Sequence, residues 1–342
     1  MTRYRAVVVG CGPRGLCHGR GLVAHPERFT LAAVCDVDAA RREACAQALG
    51  APRAYADAGA MLAAEAPDVL CFATRPAIRL PLVELGVQHG IRAIVLEKPM
   101  ALALAEAAQM LALCDGAGVK MVVCHQLKYA AHWQRLKALV DGGELGDVHT
   151  LHATARPSML RVGTHLIDHL LWLMSGHRVA WVLGQTDGAG AYAGDHPCPD
   201  HLAGVVAFES GERALVECGT LAPRRAPDDD FWGDAAVAVY GSHGFARVVL
   251  GTGWQALTRS SRGEVVGGPA DASPQEPRLM ADLADWLDDP GRVHPCHGGA
   301  AYRGLEALLG MALSSLERRR VDLPLDPGAA GPVLARLEAA LG

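Results

Sequence analysis

The apolar run Ala6-Val7-Val8-Val9 stops at Gly10 and opens into Gly10-Cys11-Gly12-Pro13-Arg14-Gly15, a G-x-G-x-x-G turn. A buried strand that feeds such a turn and then a helix is the opening of a dinucleotide-binding βαβ unit, and few other folds need that order of residues. The motif alone is weak in a chain with 39 glycines. Its context makes it strong, because Asp36 closes the next apolar run about twenty residues beyond Gly15. Gly10 is expected to permit the sharp turn, and Gly12 to let backbone approach a pyrophosphate. Gly15 is expected to let helix and strand pack closely, while N–H groups at the helix start face the phosphates. Cys11, Pro13 and Arg14 share this loop and are counted with it as cofactor-binding. A carboxylate at Asp36 accepts from ribose hydroxyls and repels a 2′-phosphate, so NAD is expected rather than NADP, with Arg41 and Arg42 near enough to blur the preference.

The first third of the chain repeats this alternation. Apolar strands are expected at 31–35, 68–73, 93–96 and 119–124, with helices running to about His25 and over 41–49 and 78–90. Continuous apolar strands alternating with helices imply a doubly wound parallel sheet, covered on both faces. After about Cys124 the texture changes. A helix over 132–140 precedes alternating segments at 148–154, 202–210, 213–221, 235–240 and 246–250. These read as an open, mostly antiparallel sheet, with helices at 277–288 and 298–319. Residues 187–200 and 222–233 are expected to be mobile loops. The fold class is therefore α/β for residues 1–123 and α+β for residues 124–342.

The chain has 342 residues, more than one ordinary core needs. Its net charge of -5 is spread along the sequence without a basic stripe, which excludes a nucleic-acid surface. Ten cysteines are scattered without a Cys-x-x-Cys pair and read as buried reduced thiols. No signal-peptide pattern or membrane-length apolar run is present, so a cytoplasmic protein without membrane contact is expected.

Two sets of residues are suited to chemistry. Glu97-Lys98-Pro99 ends the strand at 93–96, where ligands bind in parallel sheets, and a partly desolvated lysine stabilises a developing alkoxide. The alternative is a surface lysine at a strand end. Further on, Gly163-Thr164-His165 opens a helix whose His165, Asp168 and His169 share one face at i, i+3 and i+4. His165 at the helix start is placed to take a hydroxyl proton. The same trio also reads as a satisfied core network. Two histidines at that spacing beside an acid suit zinc as well, but no strong third ligand is evident and no metal is expected.

Together these segments resemble the glucose–fructose oxidoreductase/inositol dehydrogenase/rhizopine-catabolism (Gfo/Idh/MocA) family over nearly the whole chain. The likeness runs through VVVGCGPRG, AAVCDVD, VLCFATRP, AIVLEKPMA, ELGDVHTLHA, GTHLIDHLLWLMSG, AVYGSHG and RRRVDLPL. It implies a Rossmann domain, then a domain on an open sheet that holds substrate and assembles dimers or tetramers. It implies reversible oxidation of a secondary alcohol on a sugar, cyclitol or related polyol. By the resemblance Lys98 is the site lysine, His165 the acid/base and Asp168 a substrate-orienting group beside Thr164. Thr74 and Pro76 lie along the cofactor, with Glu97 and Lys98 at its reactive end and His125 and Gln126 near the nicotinamide. The Lys98–Pro99 bond is expected to be cis, as this motif often is. Three positions depart from the pattern. Arg161 stands where an aspartate is common, which points to a substrate carrying a carboxylate or phosphate. Arg79 replaces a histidine along the cofactor, and Lys128 replaces an arginine near the substrate.

Two other readings compete with a dehydrogenase or ketoreductase. One keeps NAD bound and cleaves or epimerises a glycoside by transient oxidation. The other is a non-catalytic nucleotide sensor, against which Lys98 and His165 argue.

Overall fold

Strand β1 (Tyr4–Val9) is buried at every position but one, and its apolar residues leave Gly10 to make the turn into α1 (Pro13–Val23). Pro13 sits in the first helical turn, where a missing N–H goes unmissed. The chain continues through β2 (Phe29–Cys35), α2 (Ala39–Leu49), β3 (Ala54–Tyr55), α3 (Ala58–Glu65) and β4 (Val69–Phe72). Then come α4 (Arg79–Gln88), β5 (Ala93–Leu96), α5 (Leu104–Ala117) and β6 (Lys120–Val123). Two helix starts are capped by aspartates: Asp38 accepts from the Arg41 N–H at 3.0 Å and Asp57 from that of Ala60 at 2.7 Å. All six strands run parallel in the order β3-β2-β1-β4-β5-β6. β4 and β5 are buried throughout, as strands covered on both faces must be. The order reverses between β1 and β4, so the crevice for a ligand opens at their carboxyl ends.

The computed structural model describes residues 2–225 and 233–341. The chain divides into two compact units. The first is Met1–Leu102, Glu106–Gln126 and Pro274–Ala301; the second is Ala103–Ala105, Leu127–Ser273 and Tyr302–Gly342. The sequence boundary after residue 123 left 274–301 with the second domain. In the structure the helix Glu276–Asp288 lies against α1 instead. A Cβ at Gly21 would stand 3.0 Å from the Glu276 carbonyl oxygen, and Arg28 bridges to Asp285 and Asp288 at 2.8 Å each. This contact joins residues far apart in sequence, which a local pattern does not reveal.

The second unit contains α6 (Ala131–Asp141), β7 (Val148–Ala155), α7 (Thr164–Leu173), β8 (Val179–Asp187), β9 (His201–Phe208) and β10 (Arg213–Gly219). It continues with β11 (Ala236–Gly241), β12 (Gly244–Val249), β13 (Gly253–Leu257), β14 (Val266–Pro269) and β15 (Val321–Asp322). Its nine-stranded sheet has the order β14-β13-β12-β11-β7-β10-β9-β8-β15. Every neighbouring pair is antiparallel except β7 with β10. Leu151, Ala153 and Ala155 of β7 are buried while their alternates are not, so one face of the sheet is packed on helices. Gly184 and Gly204 let the helix Gly298–Glu317 lie close, since a Cβ at Gly184 would meet the Met311 carbonyl at 2.3 Å.

Of the predicted loop 222–233, residues 226–232 lie outside the described residues. In the other predicted loop, Asp187 ends β8 and a 3-10 turn occupies Gly190–Ala193. The Asp200 carboxylate accepts from the N–H groups of Gly190 and Ala191 at 2.9 and 2.6 Å. Among the described residues no helix is long and apolar enough to cross a membrane.

Candidate active site

Each glycine of the opening turn has a distinct physical task. Gly10 has φ +87°, and a Cβ there would lie 2.5 Å from the Ala73 carbonyl oxygen at the end of β4. A Cβ at Gly15 would fall 1.7 Å from the Gly10 oxygen, so helix and turn pack without room for a side chain. At Gly12 a Cβ would meet nothing within 4 Å, which leaves open space beside the turn. Asp36 at the end of β2 braces this loop. Its carboxylate accepts from the Cys11 N–H at 2.7 Å and the Asp38 N–H at 2.9 Å. A carboxylate has about four acceptor sites, so Asp36 keeps capacity for ribose hydroxyls. Arg42 is tied to the Asp36 carbonyl at 2.7 Å, while Arg41 is exposed and 3.7 Å from Asp38.

Glu97, Lys98 and Pro99 follow β5 at the same carboxyl edge of the sheet, and the Lys98–Pro99 bond is cis. Lys98 is half-buried and Glu97 buried. One Glu97 carboxylate oxygen lies 2.7 Å from Arg14 Nε and 3.1 Å from His18 Nε2. Burial alone would push this carboxyl up, but His18 and Arg14 hold it well below the usual carboxylate range. Arg14 also pairs with the buried Glu276 at 2.9 Å. Burial works against the Arg14 cation, yet Glu97 keeps it firmly charged. With its side-chain amide oriented to satisfy both neighbours, Gln126 joins this network, donating to the Cys124 carbonyl at 3.0 Å and accepting from Arg14 at 3.3 Å.

His18 Nε2 also faces Cys124 Sγ at 3.3 Å, and burial raises that thiol well above its ordinary value. His18, Glu97 and Cys124 thus bring a nitrogen, an oxygen and a sulfur within 4.8 Å of one another, a set chemically able to hold a metal ion. The Arg14 guanidinium is already seated on the same carboxylate and opposes a second cation there.

Arg79 is 2 % exposed. It donates to the Thr74 carbonyl through Nε and Nη2, at 3.2 and 2.8 Å, and to the Pro99 carbonyl through Nη1. Its donors thus brace the loops after β4 and β5. Burial brings this guanidinium down to about 10, so it remains a cation at neutral pH. Thr74 is half-buried, and its hydroxyl has no protein partner among the described residues; Pro76 is buried. His125 is buried, and its carbonyl accepts from Cys296 Sγ at 3.4 Å.

In the second unit α7 carries the predicted trio, all three side chains buried. Lys128 Nζ stands 3.0 Å from Asp168 Oδ1, and both side chains are 2 % exposed. A buried pair of this kind holds the carboxylate in one place, because parting the charges leaves one desolvated and uncompensated. His169 Nδ1 contacts the His165 carbonyl at 2.6 Å, and its ring stacks on Trp133 with centroids 3.8 Å apart. His169 is therefore built into the core. His165 and Thr164 are buried at the start of the helix, whereas Arg161 on the preceding turn is exposed. Within this unit the structure brings together Lys128, Asp168 and the start of α7.

Sequence reading missed His18 and Glu276. One signal was present for the former: Arg14 and His18 are spaced i, i+4 and share a face of α1.

A model of an oxidoreductase family with an NAD-binding Rossmann fold, Gfo/Idh/MocA, matches residues 4–125. A D-apiose dehydrogenase of Paraburkholderia graminis is 30% identical over 268 residues, covering 72% of this chain and 68% of that one. Among solved structures, an oxidoreductase from Agrobacterium radiobacter in complex with NAD+, L-tartaric acid and magnesium superposes with TM-score 0.80 at 19% identity. That match covers 96% of this chain and 99% of the other. The WlbA dehydrogenase from Bordetella pertussis, in complex with NADH and UDP-GlcNAcA, gives TM-score 0.75 at 21% identity over 95% and 100% of the two chains. At these identities the structural likeness speaks to the fold.

Proposed function

The chain belongs to the Gfo/Idh/MocA family of oxidoreductases, and from that premise we propose that it moves hydride between NAD and a secondary alcohol or ketone of a sugar, cyclitol or related polyol. One observation carries this reading. The glycine turn, Asp36 and Lys98 stand at the carboxyl edge of one parallel sheet whose strand order reverses beside them. The residues present fit the dinucleotide: open space at Gly12 suits a pyrophosphate, and Asp36 keeps acceptor capacity for a ribose. Gly10 to Gly15, Asp36, Thr74, Pro76, His125 and Gln126 would hold it. When bound, the nicotinamide accepts or returns the hydride. Lys98 supplies a cation that stabilises negative charge on the substrate oxygen. His165 takes or gives the hydroxyl proton, and Asp168, fixed by Lys128, orients the substrate. Thr164 and Arg161 are further proposed substrate contacts, the latter suited to an acidic group.

The similarity to a D-apiose dehydrogenase supports a sugar as substrate. The test is a panel of sugars, cyclitols, sugar acids and their keto forms, followed by the absorbance of reduced nicotinamide with NAD and with NADP. Turnover of at least one member is expected, with NAD preferred. Exchanging the carboxylate in Asp36→Asn is expected to weaken NAD by about tenfold and to narrow its lead over NADP. A wild type inert on the whole panel, or one preferring NADP unchanged by Asp36→Asn, contradicts the reading.

Assembly and location belong to the same proposal. Leu183, Val205, Leu215 and His152 form one row across neighbouring strands β8, β9, β10 and β7. Leu183 and Leu215 in that row are 45% and 44% exposed, which suits burial against a second copy in a homodimer or homotetramer. Ten free cysteines, nine of them buried, suit a reducing compartment, and we assign the cytoplasm.

A further inference from the structure

We infer that Arg14, His18 and Arg79 are positioning residues for Lys98, clamping the residues on either side of it so that the nucleotide loop and the lysine turn hold one geometry. The inference rests on the proposed function for its catalytic meaning, but the clamp itself belongs to the first unit. On the amino side of Lys98 the Glu97 side chain is gripped by Arg14, from the glycine loop, and by His18 one helical turn later. On the carboxyl side the Pro99 carbonyl accepts from Arg79, which also holds the Thr74 carbonyl after β4. Lys98 thus lies between two residues whose freedom has been removed by separate cations.

The burial of these groups argues for a positioning role. Glu97, His18 and Arg79 are 6%, 0% and 2% exposed. A guanidinium is costly to bury, and simple packing would be met by an apolar side chain at position 79. A planar fork that spans two loop carbonyls fixes their separation in a way an aliphatic chain does not. Arg14 extends the link further, since its Nη2 holds Glu276 at 2.9 Å. A side chain of the glycine loop is therefore wired to the residue preceding Lys98. Positioning at this scale matters, because about 1 Å of misplacement costs an enzyme on the order of a hundredfold in rate.

The chain has only four lysines, Lys98, Lys120, Lys128 and Lys137, so the local environment of one of them is directly readable. The experiment is competitive acylation of the full-length protein by acetic anhydride at fixed pH, without nucleotide, with each lysine followed by peptide mass spectrometry. Wild type is compared with Arg14→Met, Glu97→Gln and Arg79→Lys. The last two keep volume or charge and guard against simple loss of fold, which melting temperature checks. Lys98 labelling is expected to change by about threefold or more in each variant, with Lys120 and Lys137 as in wild type. In parallel, kcat is expected to fall by about ten- to a hundredfold in all three, while in Glu97→Gln and Arg79→Lys the dinucleotide dissociation constant stays within about threefold. Unchanged Lys98 labelling overturns the inference whatever the kinetics. So does a change shared equally by every lysine, which marks a merely structural network. Weakened dinucleotide binding with unaltered kcat overturns it too, since Arg14 would then be a cofactor contact only. If Lys98 alone responds but the wild type turns over no polyol, the clamp stands and the oxidoreductase reading falls.

Discussion

Replacing Lys98 with alanine is expected to lower kcat by about a hundred- to a thousandfold, with dinucleotide affinity changed by no more than about threefold. The split follows from where the lysine stands. It is half-buried at the end of β5, and a cation in partly desolvated surroundings acts far more strongly on developing negative charge than one in water. The phosphates and ribose, by contrast, are served by the glycine turn and Asp36 at the ends of β1 and β2. Steady-state rates together with fluorescence titration of the reduced cofactor separate the two effects. A variant that loses affinity but keeps its rate would remove Lys98 from the chemistry.

The second large effect concerns the turn itself. Gly15→Val is expected to destabilise the protein by about 3 kcal/mol and to weaken dinucleotide binding by at least about a hundredfold. A Cβ at this position would fall 1.7 Å from the Gly10 oxygen, and the obstacle is backbone that has no rotamer to adopt. Gly10 is itself confined, with φ +87° and the Ala73 carbonyl close against it. The turn must therefore open, which carries the N–H groups of the helix start away from where phosphates bind. Thermal melting and the same titration read both consequences. Valine tolerated without loss of binding would show that the turn is not the nucleotide cradle.

The features legible in the sequence were those whose cause is local. An apolar run ending at Gly10, a proline inside the next helical turn and an acid closing the following strand lie within a few dozen residues, and β1, α1 and β2 form as expected. Lys98 could be located because a strand end is visible as the end of an apolar run. Helices α3 and α5 were passed over for a physical reason: AGAMLAAE and LAEAAQMLALCDGA are so rich in alanine and apolar residues that neither shows a contrasting polar face. β14 was missed because VGGP lacks the branched and aromatic residues that mark strands. Nor does any local pattern report that β7 pairs with β10 in parallel and β11 in antiparallel fashion.

The same limit applies to the site. His165, Asp168 and His169 were legible as a polar trio on an apolar helix. The structure divides their tasks, pairing Asp168 with Lys128 and burying His169 against Trp133. His18 acquires its meaning only from Glu97 and Cys124, 79 and 106 residues away in the chain. Arg79 is expected along the cofactor by the family resemblance, and in the structure its guanidinium is turned onto two carbonyls. Which carbonyls those are depends on how β4 and β5 lie side by side.

The most direct measurement is the fate of hydrogen on the substrate carbon. A polyol that the protein oxidises, deuterated at the reacting carbinol, should pass its deuterium to the nicotinamide ring, where mass spectrometry of the reduced cofactor finds it. Label released instead to water, or retained in a product formed without reduced cofactor, would contradict hydride transfer and with it the role given to the glycine turn and Lys98.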